Sequence, residues 1–134
     1  LEKQHEKGVI LGAGGASKAV AYVLKEIGVE CFYVTRTKKE NANNFFTYDE
    51  LNENIMKAFK LIVNSSPVGT YPNVADAPQI PYQYLTSEHL LYDLVYNPPE
   101  TEFLKRGKQK GAATVNGLSM LQQQAEEAWR IWNN

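Results

Sequence analysis

Gly12, Gly14 and Gly15 separate an apolar run, Val9-Ile10-Leu11, from a segment of strong helix formers that begins at Ala16. Glycines at positions 12 and 14 give a tight turn whose bare backbone can approach a diphosphate closely. The N–H groups opening the next helix then point at that anion, with the positive end of the helix dipole behind them. A loose G-x-G-x-x-[GAS] string such as Gly12–Ser17 acquires meaning only between a strand and a helix. Both flanks comply here. Ala16, Ala19, Val20, Val23, Leu24 and Ile27 form a helical stripe, Gly28 stops it, and a second apolar run, Cys31-Phe32-Tyr33-Val34, follows. The spacing predicts a dinucleotide-binding β-α-β unit.

Further chemistry lies at the ends of the later apolar runs. An acid at the end of the second strand accepts from the ribose 2′-OH of NAD, whereas a basic residue there accommodates the 2′-phosphate of NADP. This chain has Thr35-Arg36-Thr37-Lys38-Lys39 and no acid at that point. An arginine fork suits a phosphate, and the Thr35 and Thr37 hydroxyls can donate beside it. The reading is NADP, against the alternative of a solvated basic turn. Lys18 opposes the dipole of the first helix; a bound diphosphate or a plain surface lysine explains it equally, and it is not counted as a site. Asn64-Ser65-Ser66 offers an amide and small hydroxyls to ribose or diphosphate, or is a generic strand-ending turn. Tyr92-Asp93-Leu94-Val95-Tyr96-Asn97-Pro98 ends another run. Tyr96 places a phenol near a nicotinamide pocket or packs at its rim, and Asp93 reads as a structural hydrogen-bond acceptor. Gln122 and Gln124 flank the apolar stripe of the last helix on opposite sides, and geometry does not choose between them.

These residues need a frame. Strands are predicted at 8–11, 30–34, 60–64, 90–95 and 113–115, and helices at 15–27, 48–59, 101–110 and 118–132. Thr47 and Glu50 form a capping box for the second helix, and Gly111 stops the third. The alternation implies an α/β fold: a Rossmann-like, doubly wound, mostly parallel sheet with helices on both faces. Two places break it. The stretch 37–44 is short for a crossover helix, so 45–47 is either loop or a short third strand reached without one. The proline-punctuated stretch 65–89 is a long loop leaving a strand's ligand edge, of the kind that is functional or mobile.

The 134 residues make one domain, 1–134, large enough for a core but small for a two-domain dehydrogenase. Hydrophobic content of 43% with 22% charged residues is ordinary for a globular chain. A net charge of -1 argues against nucleic acid or an anionic membrane surface as partner. No apolar stretch reaches transmembrane length and no signal peptide precedes the first strand. A single cysteine, Cys31, fits the cytoplasm. Neither His5 nor His89 has a metal-ligand partner at useful spacing, so no metal is expected. The chain starts at Leu1 without methionine, as part of a longer protein would.

Taken together, these segments resemble the C-terminal, NADP-binding domain of the shikimate dehydrogenase family. The matching stretches are Gly12–Ser17, Arg36-Thr37, Leu61–Gly69 (LIVNSSPVG) with Tyr71-Pro72-Asn73, Tyr92–Pro98 (YDLVYNP) with Thr101, Phe103 and Leu104, and Asn116–Leu121 (NGLSML) with Gln124. The resemblance implies reversible, NADP-dependent reduction of 3-dehydroshikimate to shikimate, on the way to chorismate and the aromatic amino acids. It assigns Gly12, Ala13, Gly14, Gly15 and Ala16 to the diphosphate and Arg36 and Thr37 to the 2′-phosphate. Ser66, Leu94 and Gly117 would line the rest of the cofactor site. Tyr96 and Gln124 would reach the substrate, which selects Gln124 over Gln122. The family's catalytic lysine and aspartate lie in an N-terminal domain, so the chain alone is expected to be inactive. Departures are Thr35 for an asparagine, Glu40 for a second basic residue, for which Lys38 or Lys39 can substitute, and a 37–44 stretch lacking the family's helix. The alternatives are a quinate/shikimate dehydrogenase with relaxed cofactor choice and a non-catalytic nucleotide-binding module.

Overall fold

Short apolar runs bounded by turns leave both faces of a strand to be covered, which favours a parallel sheet between helical layers. The computed structural model, which describes residues 5–12, 14–37, 44–68, 73, 75–94 and 100–117, has that arrangement. In chain order its elements are β1 (Lys7–Leu11), α1 (Gly15–Glu26), β2 (Glu30–Thr35), β3 (Phe45–Thr47), α2 (Glu53–Ala58), β4 (Leu61–Asn64), β5 (Leu90–Asp93), α3 (Glu102–Gln109) and β6 (Ala113–Asn116). The six strands form one sheet in the order β3-β2-β1-β4-β5-β6, and every pairing is parallel.

Side chains alternate between the two faces, as a strand's period of two requires. Ile10, Leu61, Val63, Leu90 and Tyr92 meet Val20 and Leu24 of α1, and Ile27 just beyond its end, on one face. Val9, Leu11, Val34, Ile62 and Leu91 meet Met56 of α2 and Phe103 and Leu104 of α3 on the other. The sheet is therefore covered on both sides. Both longer helices end as the sequence predicts. Gly28 and Val29 donate to Lys25 and Leu24, and Gly111 and Ala112 to Lys108 and Gly107, the paired bonds of a Schellman stop.

Three expectations change, and one open alternative is settled. The α1 stripe buries Ser17, Val20 and Leu24, while Ala16 and Ala19 are exposed; Ser17, not Ala16, takes the inward position of the first turn. The stretch 45–47 is a strand, β3, parallel to β2; 38–43, within the connection to it, lies outside the described residues. The expected helix over 48–59 is broken in two. The Thr47–Glu50 box is present, with the Thr47 N–H donating to Glu50 Oε1 (2.9 Å), but it closes only a 3-10 turn at Tyr48–Glu50. Leu51 then turns extended and buries itself in the core, and Asn52 restarts the helix with its own cap on the Ile55 N–H (2.9 Å). Finally, the later half of the 65–89 loop is structural. It buries Ile80 and Leu85 among α2 and α3 residues, where a crossover helix would otherwise sit. Tyr82 anchors it, donating to the Pro78 carbonyl (2.7 Å) and lying under the Arg106 guanidinium (5.4 Å to the ring centre). Val95 and the expected last helix, 118–132, lie outside the described residues.

Candidate functional site at the carboxyl edge of the sheet

The strands finish almost flush. Val34, Leu11, Asn64, Asp93 and Asn116 are register partners along one row. The residue that follows each strand extends the ladder by one bond: Gly12 donates to Val34 (2.9 Å), Ser65 to Leu11 (3.1 Å), Leu94 to Asn64 (3.0 Å) and Gly117 to Asp93 (2.8 Å). Three predicted site residues, Gly12, Leu94 and Gly117, thus stand on a single line with Ser65. Strand order reverses between β1 and β4, and the crevice outside such a switch point is where open α/β sheets bind ligands.

The two loops flanking that crevice are tied together. Ser65 Oγ donates to the Leu11 carbonyl (2.9 Å), which leaves it to accept from Ser17 Oγ. Ser17 is 1% exposed and occupies the third small-residue position of the Gly12–Ser17 motif. Gly12 has a φ of 112°, open to glycine and strained for other residues. A Cβ there would stand 3.2 Å from Ser17 Oγ and 3.3 Å from Ser65 Oγ. Gly14 is the N-cap of α1 and offers no capping side chain, and the first turn has no acid. A Cβ on Gly14 or Gly15 would meet no protein atom within 4 Å. The helix start is therefore a set of open N–H donors with free space before it, which fits a diphosphate. Gly14, Gly15 and Ala16 are exposed at this edge; Ala13 lies outside the described residues.

A buried polar network shapes the neighbouring loop. Asn64 Nδ2 donates to Asp93 Oδ1 (3.2 Å) and the Val68 carbonyl (3.4 Å), while its Oδ1 accepts from the Ser66 N–H (3.1 Å) and hydroxyl (2.6 Å). Thr101 Oγ1 donates to Asp93 Oδ2 (2.6 Å) and caps α3 by accepting from the Leu104 N–H (3.4 Å). Asn64, Asp93 and Thr101 are each 0% exposed. Asn64 therefore holds the Ser65–Val68 loop in shape instead of facing a ligand, and Asp93 is the structural acceptor that its context predicts. Sequence reasoning missed Thr101 as the third member. Its signal was present, a threonine just before a helix that starts with Glu102.

Arg36 follows the end of β2, exposed, and makes no ion pair among the described residues. It lines a groove of about 480 Å³ with Tyr48, Val68, Asp76, Ala77, Pro78 and Gln79. Burial pushes the Tyr48 phenol above its ordinary value, against the pull of the Arg36 cation beside it. Thr35 Oγ1 donates to the Thr37 carbonyl (2.7 Å), so its proton is used in holding the turn that presents Arg36. Lys38, Lys39 and Glu40 lie outside the described residues, as do Tyr96 and Gln124. Burial, helped by the Glu30 charge, pushes the Cys31 thiol up to about 12. No helix among the described residues is long and apolar enough to cross a membrane.

A six-stranded parallel sheet in this order, with a glycine turn and an uncapped helix start at its switch point, defines a Rossmann-like α/β domain. No family model matches the chain. It is 38% identical to the shikimate dehydrogenase (NADP(+)) of Carboxydothermus hydrogenoformans over 98% of its own length and 51% of that protein's. Among solved structures, it is 41% identical to shikimate dehydrogenase 1 from Peptoclostridium difficile, with a TM-score of 0.69 over 95% of this chain and 46% of that one. A shikimate 5-dehydrogenase from Listeria monocytogenes, solved with shikimate and NAD, is 25% identical with a TM-score of 0.76, covering 96% and 51%. The chain belongs to the shikimate dehydrogenase family and corresponds to the C-terminal half of its members. It spans about half the length of the curated relatives it matches.

Proposed function

We propose that the chain is the NADP-binding domain of a shikimate dehydrogenase, which reversibly reduces 3-dehydroshikimate to shikimate. The observation that carries this reading is the switch-point crevice, where the uncapped start of α1 at Gly14 and Gly15 is open and Gly12 packs closely against Ser17, Ser65 and Ser66. The names of the relatives support shikimate and NADP(+) over the quinate and non-catalytic alternatives. In this reading the Gly12–Ala16 turn and the first N–H groups of α1 hold the diphosphate. Arg36 meets the 2′-phosphate, with Thr37 beside it and Thr35 bracing the turn. Ser66, Leu94 and Gly117 line the rest of the crevice, and Tyr96 and Gln124 reach the substrate.

When bound, the cofactor supplies the hydride that the substrate gains or the acceptor for the one it loses. The chain's own share is positioning. The Ser17–Ser65 tie and the Asn64–Asp93–Thr101 network keep the two loops rigid, so that little ordering is left for binding to do. The groups that move the substrate's proton belong, by the same reading, to a second domain outside this sequence. The protein would act in the cytoplasm, in the supply of chorismate and aromatic amino acids. Calorimetric titration of the chain with NADP and NAD tests the cofactor assignment: NADP binds more tightly, and equal affinities would refute the 2′-phosphate site at Arg36.

A further inference from the structure

The groove beside Arg36 carries an acid as well as a base. One wall includes residues 76–79 of the β4–β5 loop, Asp76 among them. That wall is anchored, because Pro78 is buried and accepts the Tyr82 hydroxyl (2.7 Å), and Ile80 is packed in the core. The Asp76 N–H closes a turn onto the Asn73 carbonyl (3.2 Å), and the residue is exposed to the groove's solvent. Tyr48 also lines the groove and presents a half-buried phenol whose titration is pushed upward by burial.

We propose that Asp76 is a specificity-determining residue that shares this groove with Arg36 and narrows the preference for a 2′-phosphorylated cofactor. The inference rests on the cofactor reading above. A 2′-phosphate placed at Arg36 gains a charge-assisted partner but shares a solvated groove with a carboxylate of like sign. A 2′-hydroxyl placed there carries no charge for the Asp76 carboxylate to repel. The acid that NAD-binding domains carry at the end of β2 thus has a counterpart, in charge although not in position, in the β4–β5 loop. The groove therefore combines a cation that favours NADP with an anion that favours NAD.

The test is the ratio of NADP to NAD affinity in the wild-type chain, Asp76→Asn and Glu26→Gln, measured by calorimetry at low and moderate salt. Glu26 ends α1 at the edge away from the site, so its variant reports the effect of overall charge alone. Asp76→Asn raises the ratio about three- to tenfold, with the gain shrinking as salt screens it, while Glu26→Gln leaves it unchanged. An unaltered Tm for Asp76→Asn separates this from a loss of folding. An unchanged or lower ratio in Asp76→Asn, with NADP still bound, overturns the role of Asp76 alone. Failure of the wild type to bind either dinucleotide overturns the cofactor reading and this inference with it.

Discussion

At the scale of single residues, the site depends on which polar groups are left with something to give. Asn64, Asp93 and Thr101 spend their hydrogen bonds on one another and on the backbone, sealed from water. Thr35 spends its proton on Thr37. Arg36 makes no ion pair among the described residues and is exposed at the mouth of a groove. A guanidinium so placed forms about one charge-assisted bond to a phosphate, worth roughly 1.5–3 kcal/mol. Arg36→Ala should therefore weaken NADP by that amount and leave NAD nearly unchanged, which calorimetric titration against both cofactors measures. Equal losses for the two would show that Arg36 supports the fold of the edge and reads no 2′-phosphate.

At the scale of elements, caps and strand-end contacts decide where secondary structure begins and ends. Thr101 serves α3 twice, accepting from the Leu104 N–H and donating to Asp93, whereas Asn52 only caps α2. Thr101→Val should cost about 2–4 kcal/mol, a cap together with a bond to a buried carboxylate, and Asn52→Ala about 1 kcal/mol; urea unfolding of both variants gives the ranking. His89 ties the entry of β5 to α2. Its Nδ1 accepts from the Thr86 N–H (3.0 Å), so Nε2 carries the proton and donates to the Met56 carbonyl (2.7 Å). Burial lowers its titration point, with nearby Lys60 adding to the shift and Glu88 opposing it. The folded chain thus binds this proton less readily than the unfolded one. The contribution of neutral His89 is complete above about pH 6.5 and fades as pH falls below it toward the lower folded value. Urea midpoints measured across that range should drop in the wild type and drop less in His89→Gln.

These elements were unequally legible. Apolar runs and the Gly28 and Gly111 stops marked strands and helices because those signals are local. The break at Leu51 was hidden, since the Thr47–Glu50 box looks the same whether it caps a long helix or a single 3-10 turn, and only burial of Leu51 decides between them. The Asn64–Asp93–Thr101 network was hidden for another reason. It exists because β4 and β5 end in register, and register is a property of the assembled sheet.

At the scale of the molecule, the fold gathers the proposed cofactor site at one edge. In the proposed reading, the glycine turn, the tied serines and the strand-end amides form the place for a dinucleotide. Hydride transfer also needs a substrate held in near-attack geometry and a proton acceptor within hydrogen-bond reach of the reacting hydroxyl. The strand-end carboxylate on this edge, Asp93, cannot be that acceptor, because it is 0% exposed and already receives the Asn64 amide and the Thr101 hydroxyl. Asp76 stands at the Arg36 groove, beside β2 and β3 and away from β5. Tyr96 and Gln124 can orient a polyol, but a phenol and an amide are poor bases near neutral pH. The 134-residue chain should accordingly bind NADP yet leave shikimate unoxidised. A steady-state assay of NADPH formation should stay at background for this chain and rise when a domain carrying a lysine–aspartate pair completes the cleft. Robust turnover by the chain alone would place the proton acceptor within this sequence and overturn the division of labour between two domains.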